Sequence, residues 1–168
     1  CRHRGIATVC AAESQMQNRT FEIRQLGAGD IATFREMLLV MGKAFDDIPT
    51  YADAQPDDAY LTRLLSGGTF VALAAFEGGR VIGGLAAYEL QKFEQARSEF
   101  YIYDLAVDEG SRRKGVATAL IGRVKEIAAA RGAWVVFVQA DPPDEPAVKL
   151  YSGLGVREDV YHFDMPVR

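Results

Sequence analysis

Cysteine and histidine are scarce in this sequence of 168 residues, with two of each. Both cysteines, Cys1 and Cys10, lie near the start of the chain, so they cannot form a disulfide that stabilises the core. We therefore expect a reduced, cytoplasmic setting. No group of histidine, cysteine and carboxylate residues has the spacing of metal ligands. The sequence therefore predicts a protein without a metal centre.

Long apolar runs are also missing. No stretch approaches the roughly 20 residues that a membrane-spanning helix needs, so we expect no membrane partner. Residues 1–19, "CRHRGIATVCAAESQMQNR", place basic residues around a patch that is too weakly hydrophobic for a secretory signal. This segment is interpreted as an N-terminal extension to which the sequence assigns no role.

An excess of positive charge is absent as well, because the formal net charge is −4. This balance argues against nucleic acid as the main partner and leaves room for a cationic substrate. With 49% hydrophobic and 25% charged residues, the composition is that of a globular protein. Residues 20–168 have the length of one domain with its own core.

Hydrophobic periodicity predicts an α/β fold with a mixed sheet. The helix that follows the third long strand should bury one stripe, formed by Val116, Leu120, Val124 and Ile127. The predicted elements, in chain order, are a strand at 20–26, a helix capped by Asp30, a helix starting near Pro56, a hairpin turning at Gly78–Gly79, a strand "SEFYIYDLAV", a helix ending at Gly132, an interior strand "AWVVFVQA", a short helix "AVKLYSGLG" and a closing extended segment "VREDVYHFDMPVR".

The stretch "GSRRKGVATAL", Gly110 to Leu120, carries the clearest functional signal. A loop that turns into a helix leaves the first N–H groups of the helix without partners, and these groups attract anions. The small residues Gly115 and Ala117 leave room for an anion to approach the backbone, while three basic side chains add positive charge at the same point. The spacing fits neither the P-loop pattern nor the dinucleotide fingerprint. The stretch is either a pyrophosphate-binding turn or a solvated basic triplet.

Two motifs resemble those of the GNAT superfamily of N-acetyltransferases. "YIYDLAVDEGSRRKGVATALI" is similar to its acetyl-coenzyme A motif, R/Q-x-x-G-x-G/A after a strand of the type I-x-D-L-x-V, through Arg112, Gly115 and Ala117. "PAVKLYSGLGVRE" is similar to its second motif, A-x-x-L-Y-x-x-x-G, with Tyr151 as the tyrosine. The order of elements agrees over residues 20–167. From about Phe45 to Asp164 the chain looks like the class I aminoglycoside 3-N-acetyltransferases.

The resemblance implies a mixed, mostly antiparallel central sheet flanked by helices, with acetyl-coenzyme A in a gap between two central strands. It implies a role for Tyr151 as the general acid that protonates the leaving thiolate, and the alternative is a core aromatic on a short helix. Tyr103 stands where relatives often carry glutamate, so the usual general base is in question. The implied cofactor-binding residues are Leu105, Ala106 and Val107 beside the thioester, with the Val107 N–H as oxyanion donor, and Arg112, Arg113, Lys114, Gly115, Val116, Ala117 and Thr118 around the pyrophosphate.

Acidic residues are the candidates for receiving a polycation. Asp104 is a charge inside an apolar strand, so it needs a partner or a function. We expect it to receive the substrate amine, directly or through water, and a structural salt bridge is the alternative. The loop acids Asp141, Asp144 and Glu145 are the candidates for lining the substrate site. His162 in the closing strand is interpreted as a packed or hydrogen-bonded residue rather than a base.

Together these features predict an enzyme that acetylates the 3-amino group of an aminoglycoside with acetyl-coenzyme A and thereby confers antibiotic resistance. One alternative keeps the fold and changes the acceptor to a polyamine, another small amine or a protein amino group. A second alternative is a non-catalytic acyl-coenzyme A sensor. Relatives often pair through C-terminal strands, so a homodimer is expected.

Overall fold

The structure, a computed structural model, describes residues 20–167. The N-terminal extension predicted at 1–19 lies outside the described residues. The chain forms two compact units, one ending at Val138 and the other beginning at Gln139. The assignment of residues 20–168 to one domain stays a prediction.

The first unit is built on a five-stranded sheet in the order β1-β2-β3-β4-β5. The first four strands pair antiparallel, and β5 pairs parallel to β4. This topology confirms the mixed, mostly antiparallel sheet. The strands are β1 (Glu22–Leu26), β2 (Phe70–Glu77), β3 (Arg80–Gln91), β4 (Ser98–Val107) and β5 (Ala133–Val138).

Helices cover both faces of this sheet. They are α1 (Ile31–Ala44), α2 (Asp58–Ser66) and α3 (Val116–Ala130), with a π-helical turn at Pro49–Asp53 and a 3-10 turn at Glu109–Ser111. Side chains alternate across a strand, and two adjacent glycines of β3 show which helix lies on which face. A Cβ on Gly84 would meet Met37 of α1, whereas one on Gly83 would lie 3.4 Å from Val116 of α3.

Helices α1 and α3 each bury apolar residues at helical spacing. In α3 the residues Val116, Leu120, Val124 and Ile127 are all buried, as predicted. In α1, Phe34, Met37 and Met41 pack into a core that also contains alternate residues of β2. The hairpin between β2 and β3 is confirmed too, because both Gly78 and Gly79 adopt positive φ, which glycine tolerates best.

The helix starts differ from the prediction in detail. Asp30 precedes α1, but its carboxylate accepts from the Gly27 N–H (2.9 Å) and makes no cap bond to the helix. The second helix begins at Asp58 rather than near Pro56. Asp57 is its cap and accepts from the Tyr60 N–H (2.7 Å), since a side-chain oxygen can satisfy the free N–H groups of a first turn.

The strand predicted for the sheet interior, β5, lies at an edge of the sheet formed by the described residues. Most of its residues are half-buried, and Trp134 is 58% exposed. The guanidinium of Arg97 covers the Trp134 ring at 4.3 Å. A continuous apolar run therefore did not indicate an interior position here, because a cationic side chain shields part of the exposed surface.

The second unit contains one helix, α4 (Glu145–Ser152), capped by the Asp144 carboxylate, which accepts from the Ala147 N–H (3.2 Å). The closing strand is not formed, and residues 156–167 have neither helix nor strand. A strand needs a ladder partner, and no pairing among residues 20–167 includes this segment. Several of its large apolar side chains, including Tyr161 and Phe163, are exposed.

Candidate active site

The candidate site begins where β4 continues past its parallel neighbour. Pairing of β4 with β5 ends at Ile102 and Val138, while β4 itself runs on to Val107. On the other side, the Asp108 N–H donates to the Ile82 carbonyl (2.8 Å). Antiparallel hydrogen bonds alternate along a strand, so the backbone groups of Leu105 and Val107 are directed away from β3. They face the edge that β5 leaves uncovered within the first unit.

The loop that follows β4 delivers the chain to the start of α3. Gly115 is the residue before the helix and adopts φ +82°, and a Cβ placed on it would meet nothing within 4 Å. No side chain caps the helix. Arg113 also has a positive φ of 61°, which is uncommon outside glycine and often found at ligand-binding turns. The helix start is thus open toward solvent and carries N–H groups suited to an anion.

The three basic side chains of this loop, Arg112, Arg113 and Lys114, are exposed at the same helix start. Arg112 donates from Nε to the Val107 carbonyl (3.2 Å), which links the loop to the end of β4. The Lys114 ammonium lies 4.0 Å from the Glu77 carboxylate at the end of β2. The arrangement places positive charge where the helix dipole is also positive, which favours a phosphate group.

A β-bulge shapes the middle of β4. The register places Asp104 opposite Ala86 and Ile102 opposite Ala87, so Tyr103 is an extra residue. The Tyr103 ring contacts Tyr88, whose side chain packs against the α1 core, and the Asp104 carboxylate also points to this face. A bulge places two successive side chains on one side of a sheet. It is the reason that a phenol and a carboxylate stand next to each other here.

Asp104 has a phenol as its partner. The Tyr51 hydroxyl, from the π-helical turn, donates to Oδ2 of Asp104 at 3.0 Å. Burial raises the pKa of Asp104, and the bond from Tyr51 opposes that rise. Burial and the nearby Asp104 charge raise the pKa of Tyr51, so its hydroxyl stays protonated and able to donate. The partner that this half-buried charge requires is therefore found, and it is not a basic side chain.

Aromatic rings extend from this point along the same region of the sheet. Ring centroids lie 5.9 Å apart for Tyr88 and Tyr103, 5.7 Å for Tyr103 and Tyr101, and 5.0 Å for Tyr101 and Phe137. We call these four residues the aromatic row. Tyr103 is its most exposed member, at 61%. Burial raises the pKa of Tyr88 and Tyr101, so these phenols are neutral at physiological pH.

The sequence reasoning missed Tyr51 and the aromatic row. Tyr51 is 53 residues from Asp104 and lies in "IPTYADAQP", which carries no periodic pattern that would indicate a contact. The row had a visible signal in "YIYD", where aromatic residues two positions apart indicate one face of a strand. The bulge that lets Tyr103 share a face with Asp104 left no such signal.

The remaining predicted site residues belong to the second unit. Tyr151 is half-buried on α4, and no residue of that helix is buried, which does not support a core aromatic. Asp141, Asp144 and Glu145 are exposed, and Asp144 caps the helix. His162 lies 3.0 Å from the Asp164 carboxylate, so it is hydrogen-bonded rather than packed. Their contributions to a shared site stay predictions.

The described part of the chain lacks a membrane-spanning helix and a metal-binding cluster. No helix within residues 20–167 combines the length and apolar character needed to cross a bilayer. Over the same residues, no group of three or more histidine, cysteine, aspartate or glutamate side chains is arranged to hold a metal ion.

Comparisons with known proteins bear on the family and the fold of the chain. The family model for the acetyltransferase (GNAT) family matches residues 38–156. An aminoglycoside acetyltransferase from an uncultured soil metagenomic sample is 56% identical, with a TM-score of 0.87, covering 88% of this chain and 99% of that chain. A second such enzyme, solved in complex with sisomicin, is 28% identical with a TM-score of 0.82, covering 89% and 97%.

A curated relative is more distant. "N-acetyltransferase family 8 member 2" of Rattus norvegicus is 29% identical over 89 residues, which is 53% of this chain. The chain covers only 39% of the length of that rat protein.

Proposed function

Because the chain belongs to the acetyltransferase (GNAT) family, we propose that it transfers the acetyl group of acetyl-coenzyme A to the 3-amino group of an aminoglycoside of the gentamicin type. The observation that carries the acceptor class is the 56% identity to an aminoglycoside acetyltransferase over 99% of that chain. The choice of the 3-amino group as acceptor is based on the narrower resemblance of the sequence to the class I aminoglycoside 3-N-acetyltransferases. Such a modification would confer antibiotic resistance.

Features of the first unit support the proposed binding of acetyl-coenzyme A. The uncapped start of α3, from Gly115 to Thr118, offers N–H groups for the pyrophosphate, and Arg112 and Arg113 add charge. The edge of β4 at Leu105–Val107 offers backbone groups for the pantetheine arm. The open space at Gly115 supports this fit, because a bound phosphate can approach the backbone there.

The chemistry requires a neutral amine, and acetyl-coenzyme A supplies the activated acetyl thioester. Asp104 accepts a hydrogen bond or a proton from the acceptor amine, directly or through water, so that the nitrogen presents its lone pair. The Val107 N–H donates to the thioester oxygen as negative charge develops on it. Tyr151 is the proposed source of the proton for the leaving thiolate, because a phenol carries a proton that it can donate as a general acid.

The acceptor is a polycation with sugar rings, and two features of β4 suit it. Asp104 provides negative charge, and the exposed ring of Tyr103 beside it offers an aromatic face to an ammonium group. Asp141, Asp144 and Glu145 are proposed to add negative charge from the second unit. The expected homodimer and the cytoplasmic setting remain part of the proposal.

A thiol-release assay tests this function. The purified protein is mixed with acetyl-coenzyme A and, in parallel, with gentamicin, spermidine or a lysine peptide. We expect rapid release with gentamicin alone. Release only with spermidine or the peptide would favour the alternative acceptors, and binding of acetyl-coenzyme A without any release would favour a sensor.

Two variants connect the assay to the site. Asp104→Asn should lower turnover with gentamicin by about a hundredfold or more, as loss of a general base does. Glu126→Gln is the matched control, because it removes an exposed carboxylate on α3 that pairs with Arg123. Near-normal turnover of Asp104→Asn would remove Asp104 from the mechanism without affecting the assignment of the fold.

A further inference from the structure

The bond between Tyr51 and Asp104 joins two parts of the chain that are 53 residues apart. The Tyr51 hydroxyl occupies Oδ2 of the carboxylate and leaves Oδ1 to other partners. Tyr51 is half-buried, and its ring lies 5.4 Å from that of Phe45. The ring is therefore held by packing, independently of the bond that its hydroxyl makes.

The turn that carries Tyr51 is itself anchored by side chains. The Tyr51 carbonyl accepts from Nε2 of Gln55 (2.9 Å), and Oε1 of Gln55 accepts from Arg35 of α1 (2.9 Å). Arg35 also donates to the Pro56 carbonyl (3.0 Å) and to the Asp58 carboxylate (2.6 Å). This chain of bonds fixes Tyr51 to α1 on one side and to the start of α2 on the other.

We propose that Tyr51 is a positioning residue, which fixes Oδ2 of Asp104 so that Oδ1 is presented to the acceptor amine, and that Gln55 and Arg35 hold Tyr51 in place for this role. The inference rests on the proposed function of Asp104. A carboxylate on the end of a strand side chain can rotate about χ2, so a fixed donor to one oxygen determines where the other points. Preorganisation of this kind contributes to rate through orientation.

The arrangement has a consequence for protonation. A hydrogen bond to the charged form of a carboxylate favours that form, so Tyr51 lowers the pKa of Asp104 against the effect of burial. Loss of the hydroxyl should raise that pKa. Four other titratable groups lie near this pair, and they are Tyr88 of β3, Tyr101 and Tyr103 of β4, and Asp47 after α1. Burial raises the pKa of Tyr88 and Tyr101, and the Asp47 carboxylate acts on Tyr51.

The first test measures the ionisation of Asp104 directly and does not depend on enzymatic turnover. The pH titration of the Asp104 carboxyl carbon is followed by NMR in the natural protein and in Tyr51→Phe, with Asp104→Asn identifying the resonance. Tyr51→Phe keeps the ring beside Phe45 and removes only the hydroxyl. Loss of a hydrogen bond to the charged carboxylate should lower the acid dissociation constant of Asp104 by a factor of about ten. The pKa of Asp104 should therefore rise by about one pH unit. An unchanged titration would overturn the proposal.

The second test is kinetic. In Tyr51→Phe, kcat/KM for the acceptor should fall about tenfold at neutral pH, and the acidic limb of its pH profile should move upward with the pKa of Asp104. Gln55→Ala should produce a smaller change in the same direction, since it loosens the turn but keeps the phenol. The control is Tyr60→Phe on α2, whose exposed ring lies near Arg63, and it should match the natural protein.

The two tests separate failure of this inference from failure of the proposed function. If Asp104→Asn is inactive but Tyr51→Phe has the natural pH profile and rate, Tyr51 is a structural contact only. If Asp104→Asn is fully active while the NMR titration moves as expected, the bond acts on Asp104 but the reaction does not use it. A uniform loss of rate without movement of the acidic limb would also contradict positioning through Asp104.

Discussion

Two glycines at opposite ends of α3 allow the proposed phosphate-binding turn to be tested against an internal control. Gly115 precedes the helix with φ +82°, and Gly132 follows it with φ +75°. At both positions an added Cβ would meet nothing within 4 Å. Replacement of either by alanine therefore creates no steric clash and imposes only the cost of a positive φ.

That cost can be estimated for both variants. An L-residue forced into the left-handed region loses about 1–2 kcal/mol, so Gly115→Ala and Gly132→Ala should lose similar free energies of unfolding. For a chain of this size, each kcal/mol lowers Tm by about 2–4 °C. The two variants should differ in one property only. If the turn binds the cofactor as proposed, the new methyl group at Gly115 occupies the space through which a phosphate would approach the N–H groups of α3.

The assay combines thermal unfolding with calorimetric titration of acetyl-coenzyme A. We expect comparable losses of Tm in the two variants, with Kd raised about tenfold or more in Gly115→Ala and unchanged in Gly132→Ala. The factor of ten corresponds to about 1.4 kcal/mol, the size of one weakened hydrogen bond to a charged group. Equal Kd values in both variants would refute the assignment of this turn to the cofactor.

Three further predictions concern the loop, the core and the half-buried Asp104 carboxylate. Arg112→Ala should raise the Kd for acetyl-coenzyme A by about ten- to a hundredfold, measured by calorimetry, since it removes a charge-assisted contact, and Arg112→Lys should recover part of the loss. Gly84→Ala should lose about 1–3 kcal/mol in denaturant unfolding with unchanged affinity, because its Cβ would lie 2.5 Å from the sulfur of the fully buried Met37. Asp104→Asn should unfold at a higher temperature than the natural protein at pH 7. The folded state raises the pKa of Asp104, so its ionisation opposes folding above that pKa, and the difference should vanish below about pH 4, where the carboxyl is protonated in both states.

Local patterns in the sequence predicted most of the first unit. The buried stripe of α3 follows from helical periodicity, and the turn between β2 and β3 follows from its glycine pair. The proposal that residues 112–118 bind a phosphate also depends on local features, namely a helix start, small residues and local charge, and it stays a prediction. In each case the residues that determine the feature lie within a few positions of it in the sequence.

Features that depend on distant parts of the chain were not predicted. The partner of Asp104 comes from a turn 53 residues away, and the bulge at Tyr103 exists only in the register between β3 and β4. Asp30 was expected to cap α1, but its carboxylate accepts from Gly27 because two local donors compete for it. The closing segment was predicted as extended on its composition, and a strand forms only where a neighbour pairs with it.

The most direct test of the account is to locate the acetyl group on the product formed from gentamicin and acetyl-coenzyme A. Mass spectrometry gives the number of acetyl groups, and two-dimensional NMR of the purified product identifies the nitrogen that carries each one. We expect a single acetyl group on the 3-amino nitrogen. A single acetyl group on another amine would contradict the regiochemistry while keeping the enzyme class, and an unmodified antibiotic would contradict the proposed acceptor itself.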